Sequence, residues 1–207
     1  MAKIWGRNTS ANVQKAMWTI GEIGLRVERI DIGGPFGGTR EPAYLALNPN
    51  GLVPTLQEDD GFVMWESNAI VRYLAEKHAA AIHPDDLRTR AIAGQWMDWE
   101  QTVLSPAIGP VFWGLVRQSA AERDEKTIAA AKEKTLAAVA MMEDRLAETR
   151  FLAGDAFSIG DIPAAVHVRR FLELFEQRPS CPNVERWFGE IAQREPFQTH
   201  VTAIAMQ

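Results

Sequence analysis

Two dipeptides carry residue types suited to holding a peptide-like ligand: Val53-Pro54 and Glu66-Ser67. Proline has no backbone N–H, cannot fill a central strand position and pushes the residue before it into an extended conformation. Val53 is therefore expected at a strand end. A cis bond to Pro54 would turn the Val53 N–H and C=O outward, where an extended peptide could pair with them as an added strand. A plain strand start with a trans proline fits the same two letters. Glu66-Ser67 precedes Ala69, Ile70, Tyr73 and Leu74, which recur at three- and four-residue steps and predict a helix. The free N–H groups and positive dipole end of that helix suit a carboxylate; the Ser67 hydroxyl adds a donor, and Glu66 can hold an ammonium group. The ligand implied has both ends of an α-amino acid. An ordinary helix cap with a dipole-favourable acid would look the same.

The elements that must position these residues can be read in order. Residues 3–6 form a short strand. Residues 12–24 form a helix with Val13, Ala16, Met17, Ile20 and Ile23 on one face, and residues 26–32 alternate as a strand. Residues 33–38 are a glycine-rich loop lacking the lysine and serine of a P-loop and the GxGxxG spacing. A short helix over 41–47 leads to the Val53-Pro54 strand. Asp59-Asp60-Gly61 turns a hairpin, and the helix over 66–78 follows. The order is βαβαββα, an α/β arrangement over residues 1–80. The texture changes over 79–86, and residues 87–207 read as all-α. A helix over 87–104 carries Trp96 and Trp99 as core residues; Pro106 and Pro110 are expected to bend or break it before it resumes over 112–118. A long amphipathic helix spans 121–148. Ser158-Ile159-Gly160-Asp161 is a structural capping box, with Phe157 and Ile162 as its hydrophobic staple. Two short helices start near Val184 and Pro196.

Composition narrows the functions. The net charge of −5 argues against a nucleic-acid surface. No apolar run approaches the ~20 residues that cross a membrane, and no signal-peptide pattern precedes the first strand. One cysteine, Cys181, fits a reducing compartment, and His78, His83, His167 and His200 have no metal-ligand spacing. The expectation is a cytoplasmic protein with no metal, membrane or nucleic-acid partner.

Ser10-Ala11-Asn12-Val13, Asn48-Pro49-Asn50-Gly51, Val53-Pro54, Glu66-Ser67-Asn68-Ala69-Ile70 and the Ser158/Asp161 box, in this order and spacing, resemble the cytosolic glutathione S-transferase superfamily, most of all bacterial members near its theta, beta and nu groups. The resemblance spans nearly the whole chain and implies an α/β thioredoxin-like first domain followed by an all-helical second domain. It implies a homodimeric transferase that uses glutathione as co-substrate and adds it to a small apolar electrophile. It implies a cis Val53-Pro54 bond, with Val53 pairing with the cysteinyl backbone of glutathione and Glu66 and Ser67 holding its γ-glutamyl end. Matched back from the end of the first helix, Ser10 falls where theta-like members keep a catalytic serine, with Asn12 in support and Thr9 in reserve. Many relatives have a basic or polar side chain where this chain has Leu52, and some a histidine in place of Thr39. Arg40, Arg7 and Lys15 are then the candidates for the glycyl carboxylate. Phe36, Phe112 and Trp113 would wall the electrophile site. Glutathione-dependent peroxide or disulfide reduction, and a scaffold without turnover, are the alternatives. The retained Ser10-Ala11-Asn12 and Glu66-Ser67 speak against the scaffold.

Overall fold

The computed structural model describes residues 1–78 and 80–207, so Ala79, where the texture change was expected to begin, lies outside the described residues. The chain divides into two compact units. The first is Met1–His83 with Glu195–Ala205; the second is Pro84–Arg194 with Met206–Gln207.

In the first unit, β1 (Lys3–Trp5), α1 (Ala11–Glu22), β2 (Glu28–Ile30), α2 (Pro42–Leu45), β3 (Thr55–Gln57), β4 (Val63–Trp65) and α3 (Ser67–Lys77) follow the expected order. The four strands form one mixed sheet in the order β2-β1-β3-β4. The strand β1 runs parallel to β2 and antiparallel to β3, with Ile4 level with Arg29 and Leu56. The period-3.6 face read from the sequence is the buried one. Val13, Ala16 and Ile20 of α1 meet Ile70 and Leu74 of α3 and Ile4 and Leu56 of the sheet, with Met17 and Ile23 packed against them. Each fully buried Leu or Ile there contributes about 1.5–3 kcal/mol. The second strand and second helix are shorter than their sequence signals at 26–32 and 41–47, because only Glu28–Ile30 pairs with β1 and Pro42 can only start a helix. The closing segment adds α9 (Glu195–Phe197), whose Phe197 packs edge-on against Trp18, ring centroids 4.7 Å apart.

In the second unit, α4 (Leu87–Trp99) runs through a π-helical turn at Glu100–Leu104 into α5 (Ser105–Phe112), and through a second at Trp113–Arg117. At Pro106 and Pro110, where a bend or break was expected, the helix continues, with one π-helical turn before Pro106 and the other after Pro110. Pro106 sits in the first turn of α5, where a missing N–H is tolerated, and the wider π turn before it takes up the ring's clash with the preceding carbonyls. The long helix α6 is Glu125–Glu148 and starts four residues later than its sequence signal, because Asp124 accepts from the Lys126 and Thr127 N–H groups and fixes the start. Helices α7 (Asp161–Leu174) and α8 (Pro182–Ile191) complete the unit.

The capping box differs in one half from its expected form. Asp161 does reach back, its Oδ2 accepting from the Ser158 N–H at 2.9 Å, but the Ser158 Oγ accepts from Gly160 N–H and not from Asp161. Gly160 lies against the Ala93 backbone, where a Cβ would stand 2.9 Å from the Ala93 Cα. Asp161 is wholly buried and also accepts from Leu152 N–H at 2.9 Å and Trp187 Nε1–H at 2.8 Å. Burial raises its carboxyl to about 6, against those donations, which favour the anion. Trp96 and Trp99 stack edge-on at 5.0 Å, with Trp96 in the core. No helix among the described residues is long and apolar enough to cross a membrane.

Candidate functional site

The Val53-Pro54 bond is cis. The turn around it is fixed by a polar cluster that the sequence reading did not find. Tyr44 Oη donates to the Leu52 carbonyl at 2.6 Å and lies 2.9 Å from Thr55 Oγ1. Asn48 Nδ2 donates to the same carbonyl at 2.9 Å and to Thr55 Oγ1 at 3.1 Å, while its Oδ1 accepts from the Asn50 N–H. Tyr44 is buried, and burial raises its phenol above the ordinary range against the hydrogen bonds to Thr55 and Asn48. The Asn48-Pro49-Asn50-Gly51 motif is thus the clamp that presents Val53. Among the described residues, nothing hydrogen-bonds to the Val53 N–H or C=O. A buried tyrosine needs a partner for its hydroxyl, and four residues separate Tyr44 from Asn48, the one signal that could have exposed the cluster.

Ser10 occupies the N-cap position of α1 in extended backbone (φ −79°, ψ 124°), yet its side chain makes no cap bond, and no described residue hydrogen-bonds to its hydroxyl. Its carbonyl accepts from Gln14 N–H, so the helix start is set by the backbone. The start of α3 lies beside it: Ser67 Oγ donates to Asn12 Oδ1 at 3.3 Å. Asn12 therefore ties the two helix starts together. Glu66, exposed at the N-cap of α3, has φ 72° and ψ 112°, the one non-glycine residue at positive φ among those described, and makes no side-chain cap bond. Backbone in so sparse a region costs a non-glycine residue about 1–3 kcal/mol.

The glycine loop, read from the sequence only as a loop, is a meeting point. Gly33 and Gly34 turn at φ 81° and 58°. A Cβ on Gly33 would stand 3.3 Å from Arg7 Nη1, 3.3 Å from Thr39 Cγ2 and 3.4 Å from Val53 Cγ1, and one on Gly34 would stand 2.9 Å from Arg7 Nε. Arg7, three residues before Ser10, thus converges on this turn with Thr39 and Val53. Lys15 is wholly buried and out of reach of a carboxylate in solvent. Arg40 is exposed and reaches the Asn50 carbonyl at 3.4 Å, and Leu52 exposes its side chain beside it. Phe36 is exposed in a 3₁₀ turn at Gly34–Phe36. In the second unit Trp113 is 60% exposed, whereas Phe112 is 7% exposed, with the Arg170 guanidinium 3.8 Å from its ring centroid.

The first unit thus carries a cis Val-Pro step, a helix-start serine with an unbonded hydroxyl and a second helix start tied to the first. The glutathione S-transferase N-terminal domain matches residues 9–77, and the glutathione S-transferase C-terminal domain matches residues 97–195. The chain belongs to the glutathione S-transferase superfamily. Glutathione S-transferase GstB of Escherichia coli (strain K12) is 38% identical over 196 residues, covering 94% of each chain. Glutathione S-transferase 3 of Zea mays is 33% identical over 99% of this chain and 95% of its own. The theta class glutathione S-transferase of the citrus canker pathogen Xanthomonas axonopodis pv. citri, solved with glutathione bound, is 41% identical, with a TM-score of 0.95 over 100% of this chain and 99% of that one.

Proposed function

We propose that this superfamily member conjugates glutathione to a small electrophile with an apolar body, and that Ser10 activates the thiol. In this reading the Val53 N–H and C=O pair with the cysteinyl backbone, and Glu66 and Ser67 take the γ-glutamyl ammonium and carboxylate. Arg7, Thr39 and Arg40 are the candidates nearest the glycyl end. The Ser10 hydroxyl donates to the sulfur as it ionises, and the positive end of α1 favours the resulting charge. The thiolate then attacks the electrophile, the S–C bond forming as the leaving group departs.

The observation that carries this reading is the unbonded Ser10 hydroxyl at a helix start. The energies suffice without a metal or a basic side chain. Lowering a thiol from ~8.5 by about two units takes about 2.7 kcal/mol at ~1.36 per unit. One hydrogen bond to a charged group supplies about 1.5–3 kcal/mol, and the helix end about 0.3–1. Calorimetric titration with glutathione and a conjugation assay with 1-chloro-2,4-dinitrobenzene test the proposal together. Saturable binding and turnover are expected, and no heat at millimolar glutathione would sink it.

A further inference from the structure

We infer that Gln14 and Arg29 are positioning residues for Ser10. They hold the loop between β1 and α1 by two of its carbonyls, and so fix where the Ser10 hydroxyl stands. The inference rests on the proposed function, in which that hydroxyl activates the thiol.

The loop is tied along its length. Gly6 N–H donates to the Ile30 carbonyl at 2.8 Å and Arg7 N–H to the Ile32 carbonyl at 3.1 Å, which carries the β1–β2 pairing past the end of β1. Ser10 N–H donates to the Arg7 carbonyl at 3.2 Å, and Gln14 N–H to the Ser10 carbonyl at 2.9 Å. Two side chains add to these backbone bonds. Gln14 Nε2 donates to the Asn8 carbonyl at 3.0 Å, and Arg29 Nη1 donates to the Gly6 carbonyl at 2.9 Å. Gln14 thus grips the loop twice, on either side of Thr9. It is 6% exposed, next to Val13 of the α1 core face, where a glutamine amide is unfavourable unless bonded. Arg29 is aimed by Asp31, whose carboxylate takes both of its Nη atoms. Packing fixes one side of the loop: a Cβ on Gly6 would stand 2.4 Å from Val13 Cγ2 and 3.2 Å from Val53 Cβ. Asn8, Gln14 and Arg29 also border a cavity of about 180 Å³, so there the hydrogen bonds, and not close packing, keep the loop in place. A hydrogen bond from Ser10 to a developing thiolate depends on where its oxygen stands, and a shift of about 1 Å in such a group costs up to ~100-fold in rate. Neither Gln14 nor Arg29 is among the groups proposed to meet glutathione, so their effect on the chemistry passes through Ser10.

The test measures glutathione conjugation of 1-chloro-2,4-dinitrobenzene and follows the pKa of the bound thiol by the ultraviolet absorbance of its thiolate. Gln14→Met keeps the length of the side chain and removes the donor. It should lower kcat about fivefold and raise the pKa of the bound thiol by at least ~0.5, while KM for glutathione moves less than about twofold. Arg29→Met should act in the same direction, lowering kcat about threefold. Each change is then repeated in Ser10→Ala, where the hydroxyl to be placed is gone and either variant should cost less than about twofold further. A residue that only supports the fold would cost the same in both backgrounds and leave the thiol pKa alone. Equal losses in the two backgrounds, or a thiol pKa that neither variant moves, overturns this inference and leaves the transferase reading standing. No loss from Ser10→Ala itself removes the reading on which the inference rests. If Gln14→Met does not fold, Arg29→Met in the two backgrounds carries the test.

Discussion

The helix starts of the two units are finished differently. In the second unit, carboxylates act at the starts of α4, α6, α7 and α8, although the residues just before α7 and α8 make no side-chain cap bond themselves. Asp86 accepts from Thr89 N–H at 2.8 Å at α4, Asp124 closes α6, Asp161 accepts from Ser158 N–H before α7, and Glu143 reaches from α6 to the Asn183 and Val184 N–H groups of α8. In the first unit, α1 begins at Ser10, α2 at Glu41 and α3 at Glu66, and none of these side chains makes a cap bond. A missing cap of this kind costs about 1 kcal/mol of stability. The starts of α1 and α3, tied to one another through Asn12 and Ser67, keep N–H groups that in the proposed function a ligand's negative groups would serve. The following variants separate the capped starts, which hold the fold, from the uncapped ones, which in the proposed function hold the ligand.

The largest effect is expected at the most enclosed start. Asp161→Ala strands Leu152 N–H, Ser158 N–H and Trp187 Nε1–H in the core, each worth about 1–3 kcal/mol when unsatisfied, so a loss of at least ~3 kcal/mol should appear in urea denaturation. If the loss were under ~1 kcal/mol, the hub would not be what seats α7. The charge of the same group gives the next test. Its carboxyl is raised from 3.8 to about 6, so the native state binds its proton more tightly than the unfolded chain does. The resulting stability is fully present below about pH 4 and is lost as pH rises through 6, about 3 kcal/mol in all at ~1.36 per unit. Asp161→Asn cannot titrate. The stability gap between wild type and this variant should therefore narrow from pH 4 to pH 6.5, and a gap that widens would show that the donors outweigh burial.

At the uncapped start of α1 the readout changes from stability to rate. Ser10→Ala removes a hydroxyl that bonds to no described residue, so urea midpoints should move by less than the equivalent of ~0.5 kcal/mol. The same change should lower kcat/KM by roughly ten- to a hundredfold and raise the pKa of bound glutathione, the loss of one hydrogen bond to a charge. Asp124→Ala is its mirror image: about 1 kcal/mol of stability lost with turnover retained. If Ser10→Ala behaved like Asp124→Ala, the distinction between the two kinds of start would collapse.

How far the sequence shows this contrast depends on the range of each interaction. Local patterns carried the βαβαββα order, the helix at Glu66-Ser67 and the Asp161 reach to Ser158, because periodicity and capping act within about four residues. The partners that finish the second unit's helices are out of that range. Trp187 lies 26 residues from Asp161, and Glu143 lies 40 from Asn183. The π turns around α5 have no residue signature, so the sequence pointed only to a bend or break at Pro106 and Pro110. At the site, Val53-Pro54 was visible because proline restricts its neighbour, whereas the Tyr44–Asn48–Thr55 clamp and the convergence of Arg7, Thr39 and Val53 on Gly33 arise only once three loops are brought together.

The smallest expected effect is also the one that opposes stability to binding most directly. Glu66 holds φ 72° with a side chain that neither caps α3 nor is buried. A non-glycine residue in such a region costs about 1–3 kcal/mol, part of which glycine recovers and part of which it returns as unfolded-chain entropy. Glu66→Gly should therefore raise stability by up to about 1 kcal/mol while weakening glutathione binding in calorimetry, since the acid that would face the γ-glutamyl ammonium is gone. Glu66→Gln keeps the strain and removes only the charge, so it should weaken binding without the gain in stability. If both variants bound glutathione as the wild type does, the strained start of α3 would be a feature of the hairpin before it, and the parallel with Ser10 would fail.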